Sequence, residues 1–137
     1  MLHCSDTRPS QKYSIEQLQR DHAKRGFGAY PGYHFFVARD GTLYYCRPLS
    51  VKGCHVKGYN AHSIGVCYEG GHRDDEMEGR KYEDNRTAEQ MITLHFLLST
   101  LHEMFPRARI VGHRDLPGVA KACPCFDAEK EYAYVLL

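Results

Sequence analysis

Between residues 87 and 106 the chain carries its strongest folding instruction. Thr87-Ala88-Glu89-Gln90 fits a capping box, in which a hydroxyl and an amide side chain satisfy the free N–H groups at a helix start. Met91, Leu94, Leu98, Leu101 and Phe105 then recur at helical spacing, and the apolar stripe stops before Pro106. A helix with one apolar side has to lie against a second layer, so the remaining segments must supply one.

Ser14-Ile15-Glu16-Gln17 repeats the capping pattern, and Ile15, Leu18 and His22 follow at helical spacing, so a short helix is expected over 15–25, stopped by Gly26. Tyr33-His34-Phe35-Phe36-Val37 and Leu43-Tyr44-Tyr45-Cys46 flank Arg39-Asp40-Gly41-Thr42, which predicts a β-hairpin around an Asp-Gly turn. Ser63 to Tyr68 is a third strand, closed by Gly70-Gly71. The mixed charges and sparse apolar content from His72 to Arg86 read as a solvated loop. Arg109-Ile110-Val111-Gly112 reads as a short buried strand ending at His113. Beyond it Pro117, Gly118 and Pro124 impose an irregular loop, and Asp127 caps a last helix. The expectation is one α/β domain over residues 1–137, a central mixed sheet flanked by helices.

A chain of 137 residues closes one hydrophobic core. Its net charge of +1 supplies no bulk attraction to nucleic acid, so no nucleic-acid partner is expected. No run approaches the roughly 20 apolar residues of a membrane span, and Met1 to Asp6 lacks the basic and apolar parts of a signal peptide. The protein is therefore expected to be cytoplasmic as synthesised, off the membrane and monomeric. In that compartment its six cysteines read as thiols or metal ligands before disulfides.

Zinc takes imidazole nitrogen and thiolate sulfur, and a catalytic site uses three protein ligands with one position left open. His113 and Cys123 flank a loop broken at Pro117 and Gly118 that can fold back to bring both to one ion. Their spacing alone does not decide the matter. Among nine histidines, His22 and His95 sit beside apolar positions in expected helices and are read as packing residues.

Several motifs carry more. His3-Cys4-Ser5, Gly32-Tyr33-His34-Phe35, His55-Val56-Lys57-Gly58-Tyr59-Asn60, Ser63-Ile64-Gly65-Val66, Gly112-His113-Arg114-Asp115 and Lys121-Ala122-Cys123-Pro124 resemble, in order, the N-acetylmuramoyl-L-alanine amidases of the phage-lysozyme and peptidoglycan-recognition type. The resemblance runs nearly end to end. It implies a peptidoglycan-recognition-protein-like fold, with a Zn2+ ion held by His3, His113 and Cys123 and Tyr33 and Lys121 as catalytic groups beside it. It also implies that His55, Tyr59 and Asn60 line the groove for a peptidoglycan or muropeptide substrate. The reaction implied is hydrolysis of the amide between N-acetylmuramic acid and L-alanine, with zinc polarising the carbonyl and supplying hydroxide near neutral pH.

Two departures from that family pattern stand out. Only Met1 and Leu2 precede His3, so the edge strand is expected to be short and that ligand loosely held. Cys125 follows Cys123 where the family more often has a small residue, and an inert thiol is the expectation. A non-catalytic peptidoglycan-binding module and a closed structural zinc site, with Cys4 or Cys125 as fourth ligand, are the readings from other classes. Within the enzyme class a phage-type lytic amidase is favoured over a cytoplasmic muropeptide-recycling amidase.

Overall fold

The computed structural model describes residues 1–77 and 79–137. Its central sheet contains β1 (Leu2–Cys4), β2 (Phe35–Val37), β3 (Leu43–Tyr45) and β4 (Val66–Tyr68), in the spatial order β1-β4-β2-β3. β4 runs parallel to both β1 and β2, whereas β2 and β3 form the expected antiparallel hairpin. At its turn Asp40 Oδ1 accepts the Thr42 N–H at 2.9 Å, and Gly41 takes a φ of +86°.

Strand alternation sorts side chains to two faces. Leu2 and Cys4, Phe35 and Val37, and Val66 and Tyr68 point to one side, where they pack with Leu94, Leu97 and Leu98 of α2 (Ala88–Met104). Phe36 and Cys67 point to the other, where Leu18 of α1 (Ile15–Lys24) covers them with Ile15 and Tyr33. Helices therefore lie on both faces of a mixed sheet.

Both capping signals act as expected. Ser14 accepts the Gln17 N–H, and Thr87 and Gln90 exchange hydrogen bonds at 2.9 and 3.0 Å. The fully buried Gln90 goes further, donating through Nε2 to Val37 O (3.2 Å) and Glu69 O (2.9 Å), which docks the helix start on β2 and the end of β4. Asp127 likewise caps α3 (Ala128–Glu131) through the Lys130 N–H.

Three expectations are corrected. The inward side of α2 is Leu94, Leu97 and Leu98, with Leu101 partly buried, while Met91 and Phe105 at the ends of the stripe face outward. The sheet is too narrow to cover a helix of that length from end to end.

The stretch read as a solvated loop contains a two-stranded ribbon, β5 (His72–Met77) with β6 (Arg80–Tyr82); Glu78 within it lies outside the described residues. Its charges are partners rather than a solvated run. Arg73 pairs with Asp75 and Glu83, and Asn85 bonds Gly71 N and His72 O. An ion-paired ribbon lacks the apolar alternation by which strands are recognised.

Arg109 to Gly112 forms no strand. It lies along β1 with one bridge, Leu2 to Gly112, and one hydrogen bond from Leu2 N to Val111 O at 2.8 Å.

Candidate metal centre

β1 is held on both sides, by β4 and by the Val111–Gly112 segment. The Met1 α-amino group donates to Ile64 O at 2.7 Å, and Leu2 is fully buried. His3 is accordingly fixed, with 1% of its surface exposed, and the loose first ligand expected from the short lead is corrected. Its side chain points to the face opposite Cys4, towards Tyr33, at 5.1 Å between ring centroids.

The loop after β1's neighbour folds back as its breakers suggested. His113 opens a single turn, His113–Asp115, in which Gly112 N donates to Asp115 Oδ2 at 2.7 Å. Arg114 N then donates to Cys123 O at 2.8 Å, which brings His113 and Cys123 together. Tyr68 Oη donates to Pro124 O at 2.7 Å and pins the cysteine segment to β4.

One ligand atom from each of His3, His113 and Cys123 lies within 4.8 Å of the other two. Cys123 Sγ is 3.8 Å from His3 Nδ1, and the His3 and His113 ring centroids are 4.8 Å apart. Ligand atoms of a tetrahedral zinc site lie about 3.3 to 3.8 Å from one another, given Zn–N of about 2.0 Å and Zn–S of about 2.3 Å. Two imidazoles and a thiol at these separations fit zinc with a small closure. A backbone N–H, that of Cys4, donates to Cys123 Sγ at 3.2 Å.

Behind the cluster, His3 Nε2 is 2.8 Å from His55 Nδ1, and His55 Nε2 is 3.3 Å from Ser63 Oγ, which donates to Tyr59 O at 2.8 Å. The tautomer that frees His3 Nδ1 for a metal carries its proton on Nε2 and donates a hydrogen bond to His55. His55 packs between Gly53 and Gly65, where an added Cβ would stand 2.7 and 2.8 Å from its ring. Asn60 Oδ1 accepts the N–H groups of both His55 and Val56 at 2.9 Å, so it shapes the loop.

Burial depresses the pKa of His3 well below the usual imidazole range, with His55 adding to it, and takes His55 down to about 3. Burial, then the Lys121 charge, lowers His113. Neutral imidazole is the form that binds metal. Burial also holds the Tyr33 hydroxyl well above its ordinary pKa, so it remains a proton donor.

A cavity of about 460 Å³ opens on the cluster and is lined by His3, Tyr33, His55, His113, Lys121 and Cys123. Six of the eight residues singled out from the sequence thus meet in one place. Tyr59 lines a separate apolar cavity of about 560 Å³, and Asn60 lines neither. Two contributors escaped the sequence reading. Ser63 closes the histidine relay. Arg47 is buried and donates to Lys52 O and Pro31 O, at 2.9 and 3.1 Å, bracing the loop ahead of Tyr33. An arginine in a loop carries no pattern that separates such a brace from a surface charge.

Known proteins resemble this arrangement. The family model for N-acetylmuramoyl-L-alanine amidase matches residues 1–126. The endolysin of Escherichia phage T7 is 40% identical over 129 residues, covering 94% of this chain and 81% of the relative. Among solved structures, an endolysin N-acetylmuramoyl-L-alanine amidase from Clostridium intestinale URNW has a TM-score of 0.78 at 25% identity, covering 98% of this chain and 80% of that one. The ectodomain complex of peptidoglycan recognition proteins LCa and LCx with bound tracheal cytotoxin has a TM-score of 0.72 at 24% identity, covering 96% and 77%, a likeness of fold.

Proposed function

The chain belongs to the N-acetylmuramoyl-L-alanine amidase family, and on that premise we propose that it is a zinc-dependent peptidoglycan amidase of the phage lytic type. Peptidoglycan amidase activity is the part the family and its endolysin relatives support. The zinc dependence rests on one observation, the convergence of His3, His113 and Cys123 on a cavity with a neutral, hydrogen-bonded His3. Zinc in a three-ligand site supplies a Lewis acid for the amide carbonyl and a hydroxide nucleophile near neutral pH.

The chain's own groups have separate tasks in this reading. His55 Nδ1 accepts a hydrogen bond from His3 Nε2–H and holds the ring in its ligating tautomer. Lys121, exposed on the cavity wall, offers an ammonium to the oxyanion that develops as the amide is attacked. Tyr33 lines the same cavity and is protonated at neutral pH, and its hydroxyl, buried against Cys67, would orient the attacking water or the substrate carbonyl on turning towards that space. The substrate is the lactyl amide joining N-acetylmuramic acid to L-alanine, in intact wall or released muropeptide. The relatives' role favours synthesis in the cytoplasm and action on the wall after release. Among the described residues no helix is long and apolar enough to cross a membrane, and a separately made pore would provide the exit.

Product chemistry tests the reading. Digested wall should gain L-alanine amino termini, found by dinitrophenylation, and no reducing sugars, and chelation should stop the gain until zinc is restored. New reducing ends without alanine amines would show a glycosidase, and no new groups at all would show a binding module.

A further inference from the structure

Cys125 departs from the family pattern, and it has a partner. Its Sγ lies 3.8 Å from Cys4 Sγ, although the two residues are separated by almost the whole chain. Neither sulfur belongs to the metal cluster. Cys4 follows His3 on β1 and therefore points to the opposite face of the sheet, where its thiol meets both Cys125 and Cys123, while Cys123 Sγ also reaches His3 Nδ1 and Cys125 Sγ turns towards Cys4 and Gly71 O.

The space around the pair is built for two sulfurs. Gly71 takes a φ of +94°, and a Cβ there would stand 2.5 Å from Cys4 Sγ and 3.5 Å from Cys125 Sγ. Only glycine leaves that room. Cys4 is buried and Cys125 is partly exposed, so one thiol is open to a reagent and the other waits behind it.

We propose that Cys4 and Cys125 are a disulfide-forming pair, a dithiol in the reducing cytoplasm that closes in an oxidising environment and staples β1 to the cysteine loop. The change of compartment rests on the wall-directed function above, because a protein made in the cytoplasm and acting at the wall passes from reducing to oxidising surroundings. The co-reactant is a small disulfide, R–S–S–R. The Cys125 thiol loses its proton and its sulfur attacks one sulfur of the reagent, forming a mixed disulfide and releasing one R–SH. The Cys4 sulfur, giving up its own proton, then attacks Cys125 Sγ and expels the second R–SH. Two electrons pass from the protein to the reagent, and the two thiol protons leave on the two R–SH.

Closure requires the sulfurs to approach from 3.8 Å to about 2.0 Å. The new bond joins the residue after one proposed ligand, His3, to the residue two beyond another, Cys123. The staple therefore restrains the two segments that have to separate for a metal to leave.

The test uses the full chain loaded with zinc and equilibrated in mixtures of glutathione and glutathione disulfide of rising oxidised fraction. Acid quenching, alkylation and mass spectrometry then count thiols and locate links. The expected result is a 2 Da loss, a fall from six alkylatable thiols to four, and a cross-link between Cys4 and Cys125. Zinc transfer to a chelator should slow several-fold in the closed form, and the melting temperature should rise. Cys125→Ser should show no linkage in the same mixtures and no change in chelation rate. Cys4→Ala, chosen because a serine hydroxyl would be buried at that position, should likewise show no linkage. Six alkylatable thiols at the most oxidising ratio, or a link that recruits Cys123 and ejects zinc, overturns the proposal. Linkage is read without substrate, so a chain that links but releases no alanine amines rejects the amidase reading alone.

Discussion

His3 Nε2 and His55 Nδ1 lie 2.8 Å apart, so the most buried of the proposed ligands is oriented by a second histidine rather than by a carboxylate or a backbone carbonyl. A histidine acceptor is available only while it is neutral, and burial keeps it so by depressing the His55 pKa to about 3. Orienting partners of this kind typically tune metal affinity by about 10- to 100-fold. His55→Ala should weaken zinc binding by that factor in competition with a fluorescent chelator. His55→Gln, whose Oε1 can still accept the His3 proton, should recover part of it. Unchanged affinity in His55→Ala would remove the relay from the account.

Lys121→Ala separates charge stabilisation from metal binding. Lys121 lines the cavity without supplying a ligand atom to the cluster, so the variant should keep its zinc. Its kcat should fall by roughly 10² to 10³, the scale of losing one oxyanion donor, with a smaller change in KM. Full turnover at normal zinc content would show that the ammonium takes no part.

Much of this arrangement is legible in the sequence because it rests on local signals. Thr87 and Gln90, Ser14, and Asp40-Gly41 each announce their element through chemistry within four residues, and each forms as read. The cluster of His3, His113 and Cys123 is legible only through resemblance, since nothing local reveals that Arg114 N meets Cys123 O. The ribbon of β5 and β6 was hidden because charged residues, with Arg73 paired to Asp75 and Glu83, replace apolar alternation. The Arg109–Gly112 segment was hidden for the opposite reason: buried Ile110 gives it a strand's composition, although among the described residues it pairs only with Leu2, through one bridge and one hydrogen bond. Tyr59 and Asn60 share a motif with His55, yet the backbone turn at Asn60–His62 directs them away from the cavity that His55 lines.

Arg86 should dominate the stability of the C-terminal end. Its buried guanidinium grips Asp84 through two bonds of 2.8 Å, reaches Glu131 Oε2 at 2.7 Å and Tyr132 Oη at 2.9 Å, and lies 3.5 Å over the Phe126 ring. Arg86→Ala leaves the buried Tyr132 hydroxyl short of a partner and a void beside Phe126, at a cost on the order of 3 kcal/mol in urea unfolding. Arg86→Lys cannot reproduce the forked contact and should fall between the two. A loss within experimental error in Arg86→Ala would contradict this.

Stability should decline below neutral pH, with His22 contributing. Gly32 N donates to His22 Nδ1 at 2.7 Å, and burial, with the Arg25 charge second, takes its pKa down to about 4. The unfolded histidine binds its proton near pH 6.5, before the folded one does, so its share of stability is complete above pH 6.5. That share is lost as pH falls towards about 4, reaching on the order of 3 kcal/mol. Metal-free protein followed by urea titration should show the decline, and His22→Gln, which keeps the acceptor but cannot charge, should flatten it. Parallel curves for the two proteins would assign the acid sensitivity elsewhere.

Zinc content measured on the same samples as turnover tests the central claim most directly, with wild type compared with Cys123→Ser. Cys123 Sγ, 3.8 Å from His3 Nδ1 and within 4.8 Å of a His113 nitrogen, is the one sulfur in the proposed ligand set. Wild-type protein dialysed against zinc should carry one ion per chain and release alanine amino termini from wall. Cys123→Ser should lose both the ion and the turnover together while remaining folded. A Cys123→Ser protein that keeps its zinc and its turnover would contradict the site itself.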